Sequence, residues 1–258
     1  MSVSEPALAV GTMEVSGFFN SVMVLGRDPD RAKSFVETAV RSGFSLFDTA
    51  PVYGRGFAEQ DLGRWLPPEA QVWTKVGVDI DAPLPKLDYS LPGMVRSLSG
   101  SLARLRREQV SVAMVHNPIP SVLEHVDLEG FAAHCAATGA AELIGVSVLT
   151  PELSLPLLVS GLPPGSVVMC EAEQLNPGDR HVRALLSDYR LVIRSIFAHG
   201  AMIRDVPEDV RSTVIDARID ELVATYEPEA VVIGARTPTQ LSDYVPRGPW
   251  MRQAQHAG

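Results

Sequence analysis

The segment Gly43–Gly54, GFSLFDTAPVYG, ends an apolar run with a carboxylate, Asp48, and places a phenol, Tyr53, five residues later. Two further apolar runs end in ionisable groups, VWTKVG in Lys75 and VAMVHNP in His116. If the three runs are buried strands, four such groups stand at strand mouths, where a substrate can meet them. Together they suit protonation of a carbonyl oxygen during a reduction, which needs a hydride donor on one side and an acid at the developing alkoxide. Tyr53 is the candidate acid, although a free phenol with pKa about 10 donates inefficiently at neutral pH. An ammonium at Lys75 favours the phenolate, Asp48 holds and partly neutralises that lysine, and His116 offers a hydrogen bond that orients the carbonyl. Taken singly, each residue also has a plainer role: a turn cap, a rim aromatic, a solvated strand-end charge, a core histidine.

For these groups to meet, the strands that carry them must end on one face. Short apolar runs alternate with helical patterns along the chain: Phe44–Asp48, Gln71–Val76, Val110–Val115, Glu142–Val146, Val167–Glu171, Leu191–Ile196 and Ala230–Gly234. Most are continuous rather than alternating, the pattern of parallel strands covered on both faces. Ala7–Gly11 or Ser21–Leu25 supplies an eighth. Helical patterns fall at Asp30–Ser42, Ala58–Leu66, Leu91–Arg107, Ser121–Thr138, Thr150–Ser160, Asp179–Ser187, Pro207–Tyr226 and Thr237–Tyr244, edged by cap and stop residues such as Asp28, Gly43 and Gly139. No linker, repeat or low-complexity tract interrupts them, so the expected fold is α/β, a single (β/α)8 TIM barrel over residues 1–258 with a short C-terminal tail. An open doubly wound sheet calls for a GxGxxG turn after the first strand, and the sequence has none.

Composition narrows the partners. The 22 Lys and Arg residues against 31 Asp and Glu give a formal charge of −9, which disfavours nucleic acid and anionic membrane surfaces. At 258 residues and 46% hydrophobic content the chain can bury a sizeable core. Its start does not read as a signal peptide, no run is long enough to span a membrane, and Cys135 and Cys170 stand far apart without metal-site spacing. A cytoplasmic protein with reduced thiols and no metal site is expected, and its oligomeric state is left open.

These motifs carry a resemblance. FDTAPVYG followed by Glu59, Leu62 and Gly63, the strand end Thr74–Lys75, the SLARL helix at Ser101–Leu105 and the H-x-P at His116–Pro118 resemble the aldo-keto reductase superfamily, in register through nearly the whole chain. The resemblance implies that Asp48, Tyr53, Lys75 and His116 form a catalytic tetrad with Tyr53 as general acid. It also implies an NADPH site. The segment IGARTPTQLSD, which begins at Ile233 and includes Gly234, resembles the stretch that holds the adenosine 2′-phosphate, making Arg236 the phosphate ligand and placing Gln240 and Asp243 near the adenine. RSIFAHG resembles a family variant after the seventh strand and implies Ser195 and Phe197 near the pyrophosphate.

Three positions depart from the family's pattern around the nicotinamide. Gly-x-Ser-Asn appears as GVSV, so Ser147 is kept while Val148 stands where a carboxamide-binding Asn is usual. Glu171 stands where the sixth strand usually ends in Gln, and Gln174 or Leu175 occupies the region of the stacking aromatic. Glu171 is either a base at the site or a strand-end carboxylate paired with Arg194. Only Pro246–Gly258 follows the last helix, so the pocket rim is expected to be short and open, with Phe19, Phe57 and Trp250 as candidate aromatics and Trp73 as core.

The leading expectation is an NADPH-dependent reductase of an aldehyde or ketone, a small-molecule substrate of sugar-like or biosynthetic natural-product type. Two alternatives follow from the departures. One is a cofactor-independent lyase, dehydratase or isomerase that moves protons with Tyr53, Lys75 or Glu171. The other is a non-catalytic cofactor-sensing or binding subunit.

Overall fold

A computed structural model describes residues 5–13, 15, 27–118, 126–149, 151, 161–176, 184 and 186–244. Eight parallel strands close into a barrel: β1 (Ala7–Gly11), β2 (Leu46–Asp48), β3 (Gln71–Val76), β6 (Val110–His116), β7 (Ala141–Val148), β8 (Val167–Glu171), β9 (Arg190–Arg194) and β10 (Ala230–Gly234). The order around the ring is β1, β10, β9, β8, β7, β6, β3, β2. This is the (β/α)8 TIM barrel expected from the alternation of runs. Ala7–Gly11 provides the first strand, its five residues pairing in register with Ala230–Gly234, while the alternative at Ser21–Leu25 lies outside the described residues.

Six helices are described: α1 (Pro29–Arg41), α2 (Phe57–Trp65), α3 (Leu91–Leu105), α4 (Leu128–Thr138), α5 (Glu208–Tyr226) and α6 (Pro238–Leu241). Their ends follow local chemistry. The Asp28, Ser90 and Asp127 side chains accept from backbone N–H groups of the first turns of α1, α3 and α4, and Gly139 in the left-handed region closes α4. Along α1, Ala32, Phe35, Val36 and Ala39 form the buried stripe. None of the described helices is long and apolar enough to cross a membrane. The helices expected at Thr150–Ser160 and Asp179–Ser187 lie largely outside the described residues, as do Phe19, Trp250 and the tail at Pro246–Gly258.

The core has two shells. Ala9, Leu46, Trp73, Met114, Met169, Val192 and Val232 fill the barrel interior, while Val10, Phe47, Val72, Val115, Val148, Cys170 and Ile193 face the helices with Phe35, Leu98 and Phe131. Strand residues alternate between the two faces. Two residues beyond each interior residue lie Gly11, Asp48, Lys75, His116, Glu171, Arg194 and Gly234, so these share the interior parity at the C-terminal mouth. That layer of strand ends positions the site.

An antiparallel hairpin follows β3 at the mouth, β4 (Val78–Asp79) with β5 (Lys86–Leu87), and the sequence pattern does not announce it because its strands are two residues long. The Arg55 guanidinium ties it down, donating to the carbonyls of Ile80, Ala82 and Pro83 at 2.9, 2.8 and 3.0 Å.

Candidate active site

Lys75 is the centre of the mouth. Its side chain is 1% exposed, and Nζ donates to Asp48 Oδ1 at 2.7 Å and to the Thr49 carbonyl at 2.9 Å, with Tyr53 Oη at 3.4 Å. Register explains the meeting, because β2 pairs with β3 and sets Asp48 opposite Trp73, two residues before Lys75. Burial pushes the ammonium towards its neutral form, but the Asp48 carboxylate and the Tyr53 oxygen outweigh it and raise the Lys75 pKa above its ordinary value. Lys75 is thus a fixed cation.

Tyr53 is half-buried on the short 3-10 turn Tyr53–Gly56, where Gly54 at φ 57° and Gly56 at φ 87° provide left-handed conformations that glycine tolerates. Its ring meets His116 edge-on, with centroids 6.3 Å apart at 87°. The structure therefore brings Asp48, Tyr53, Lys75 and His116 together at one strand mouth. Burial first, then the Lys75 and Arg194 cations, hold His116 well below the usual imidazole pKa. At neutral pH it is an uncharged hydrogen-bonding group, and its buried Nδ1 has no partner among the described residues.

Scaffolding behind the site is polar and buried. Glu59 on α2 is 0% exposed and accepts from Thr74 Oγ1 at 2.6 Å and from Arg104 Nε of α3 at 2.7 Å. The YG-x4-E spacing and the SLARL helix thereby clamp the residue before Lys75. A second prop is Tyr89, whose hydroxyl donates to the His116 carbonyl at 2.8 Å, with the Asn117 carbonyl at 3.3 Å. Burial raises its pKa to about 12, so it remains a donor. Gly77 at φ 94° makes room for that ring, since a Cβ there would lie 2.3 Å from Tyr89 Cδ1.

The other strand ends form a second cluster. Arg194 Nη1 donates to Glu171 Oε1, which is the pairing weighed for that carboxylate from sequence. Arg194 Nη2 and Ser147 Oγ both meet Asn117 Oδ1 at 3.4 Å. Val148 has the opposite parity and is buried among the outer-shell residues, away from the mouth. Gln174 is exposed and Leu175 belongs to the core. Sequence reasoning used Arg194 only as a partner for Glu171 and gave Asn117 no role. The signal for Asn117 was its place beside His116, where the chain adopts φ 47°, a left-handed conformation that Asn tolerates.

The remaining candidates lie on the β9 and β10 side. Ser195 is half-buried at φ 55°, whereas the Phe197 ring packs into the core, so any contact it makes with a phosphate falls to its main chain. Gly234 ends β10, and Gln240 Oε1 accepts from the Arg236 N–H at 2.7 Å, fixing the loop before α6. Arg236 is exposed, and the Arg31 guanidinium donates to its carbonyl.

A nicotinamide dinucleotide fits this arrangement. The inward strand ends of neighbouring β10 and β1 are both glycines, and a Cβ at Gly234 would meet nothing within 4 Å. Gly234 is thus open beside the Arg236 loop, whereas a Cβ at Gly11 would lie 3.2 Å from Val232 Cγ1 and from the Ile233 carbonyl oxygen, and Asp48 stands opposite Gly11 on the next strand. Ser147, Asn117 and Arg194 add polar donors on the far side.

Residues 7–154 match the model of the aldo/keto reductase family. Over 160 residues the chain is 31% identical to an aldo-keto reductase of Mycobacterium ulcerans, covering 58% of this chain and 51% of the relative. A D-threo-aldose 1-dehydrogenase of a Pseudomonas species is 25% identical over 173 residues, covering 57% and 51%. The chain thus spans about half the length of these curated relatives. In fold it is similar to the holo form of an aldo-keto reductase from Bacillus halodurans, with a TM-score of 0.74 at 18% identity over 93% of this chain and 85% of the other.

Proposed function

The chain belongs to the aldo/keto reductase family, and from that premise we propose that it is an NADPH-dependent reductase of an aldehyde or ketone with Tyr53 as the general acid. The observation that carries this reading is the placement of Lys75 Nζ between Asp48 Oδ1 and Tyr53 Oη, with the His116 ring edge-on to the phenol.

The bound nicotinamide supplies the hydride. What the chain contributes is a place for the carbonyl oxygen and a proton for it. The oxygen sits between Tyr53 Oη and the neutral His116, which orients it without adding charge. As negative charge develops, Tyr53 gives up its proton. The Lys75 ammonium stabilises the phenolate left behind, and Asp48 with the Thr49 carbonyl keeps that ammonium in place. Preorganised groups of this kind, already stripped of water, need no reorganisation during the step.

Gly234 leaves room for the dinucleotide, while Arg236, exposed on a loop fixed by Gln240 and flanked by Arg31, favours a 2′-phosphate over a bare ribose. On this reading Ser195 and the main chain at Phe197 face the pyrophosphate, and Ser147 the carboxamide. Polyhydroxylated aldehydes are the substrate class to try first, since one relative is named for an aldose. The Glu171 carboxylate, engaged by Arg194, is not needed as a base. The experiment is a fluorescence titration with NADPH followed by a carbonyl panel. Saturable binding below millimolar concentration and NADPH oxidation with an aldehyde or ketone are expected, and no binding at millimolar NADPH refutes the proposal.

A further inference from the structure

The mouth holds a second ion pair that proton delivery does not use. Glu171 and Arg194 close the adjacent strands β8 and β9 with interior parity, and both are mostly buried, 14% and 17% exposed. Arg194 does not stop at its neighbour. Its Nη2 meets Asn117 Oδ1 on the exit turn of β6, beside His116, although β8 and β7 separate β9 from β6 around the ring. The guanidinium therefore extends across the mouth, while the carboxylate remains at its own strand end. Asn117 is held for this contact by its left-handed backbone, by its N–H donating to the Ser147 carbonyl at 2.8 Å, and by Ser147 Oγ.

Among the described residues, the other ionisable groups at these strand ends are Asp48, Lys75 and His116. Asp48 and Lys75 form a closed pair at 2.7 Å, and His116 is neutral. Arg194 is the cation whose donor fork is divided between a carboxylate and an uncharged amide. Its position matters under the reading proposed above, on which this inference rests. A ring that works on the carbon bonded to the oxygen at Tyr53 must share the mouth with this guanidinium. A nicotinamide ring is neutral when reduced and carries one positive charge when oxidised. Arg194 already acts electrostatically on both His116 and Lys75, so a cation held there distinguishes those forms.

We propose that Arg194 discriminates between the redox states of the cofactor, disfavouring the oxidised, cationic nicotinamide relative to the reduced one, with Glu171 tempering the effect. The pair thereby biases the site towards reduction and towards release of the spent cofactor.

The test is direct binding of NADP+ and NADPH, each measured by calorimetry at one pH and ionic strength, to the wild type, Arg194→Gln and Glu171→Gln. The two variants remove charges of opposite sign from the same spot. The ratio of the NADP+ to the NADPH dissociation constant should fall on the order of tenfold or more in Arg194→Gln and rise in Glu171→Gln. A merely structural role weakens both forms together and leaves the ratio alone, which overturns the inference while the reductase reading stands. A wild type that binds neither form overturns both. If Arg194→Gln does not fold, the near-isosteric Glu171→Gln decides, an unchanged ratio counting against the proposal.

Discussion

Replacing Asp48 by Asn isolates what the carboxylate does for Lys75. With 2.7 Å between Nζ and Oδ1 and an effective dielectric near 20, the direct attraction is about 6 kcal/mol. The loss is smaller, because a stranded ammonium can shed its proton. Holding a lysine neutral at pH 7 against an unfolded pKa of about 10.4 costs roughly 4.6 kcal/mol, which caps the penalty. Asp48→Asn should therefore destabilise by about 3–4.5 kcal/mol. Lys75→Met strands the carboxylate instead, and protonating an aspartate at pH 7 from about 3.9 caps that loss near 4 kcal/mol. The double variant buries no charge, so its loss should fall short of the sum of the singles by about 3 kcal/mol. Urea unfolding of the four proteins at pH 7 measures this. Losses that add to within about 0.5 kcal/mol refute the coupling. The sign of the pH dependence follows from the raised Lys75 pKa. The pair's stabilisation is whole below the unfolded lysine pKa of about 10.4 and disappears as the pH rises through the folded value.

Other consequences can be checked separately. Arg104→Met leaves the fully buried Glu59 without its cation and should destabilise by about 3–5 kcal/mol, whereas Arg104→Met with Glu59→Gln recovers much of that in thermal or urea unfolding. His116 has a depressed pKa, so the unfolded chain takes up its proton first. Its contribution to stability is complete above about pH 6.5 and declines as the pH falls below it, and a proton NMR titration should show the ring still neutral at pH 6. Tyr89→Phe removes the hydroxyl that anchors the His116 and Asn117 carbonyls, costing about 1 kcal/mol in unfolding while lowering kcat through a looser histidine. A Tyr89→Phe enzyme with unaltered kcat argues against the anchor.

The barrel was legible because its strands are continuous apolar runs ended by polar residues. Gln71–Val76, Val167–Glu171 and Ala230–Gly234 lie where the pattern put them, and β1 was settled only by its register against β10. Asp48, Tyr53, Lys75 and His116 were legible through residue type at strand ends, since parity and a common mouth follow from closure. The hairpin after β3 escaped notice because two-residue strands carry no periodicity. Arg194 was legible as the partner of Glu171 but not in its contact with Asn117: a charge at a strand end does not reveal how far its side chain reaches, and the crossing depends on the ring order. Position 148 shows the same limit. Its residue type suggested a missing contact, while its parity turns the side chain towards the helices.

On the proposed function, Tyr53 delivers the proton while NADPH is bound in the same mouth. Single-turnover oxidation of pre-bound NADPH by an aldehyde, followed at 340 nm in wild type and Tyr53→Phe, tests it most directly. The account predicts equal NADPH affinity and a rate lower by about 10²–10⁴-fold in the variant. Equal rates in the two proteins, or turnover of the carbonyl substrate without NADPH, would contradict it.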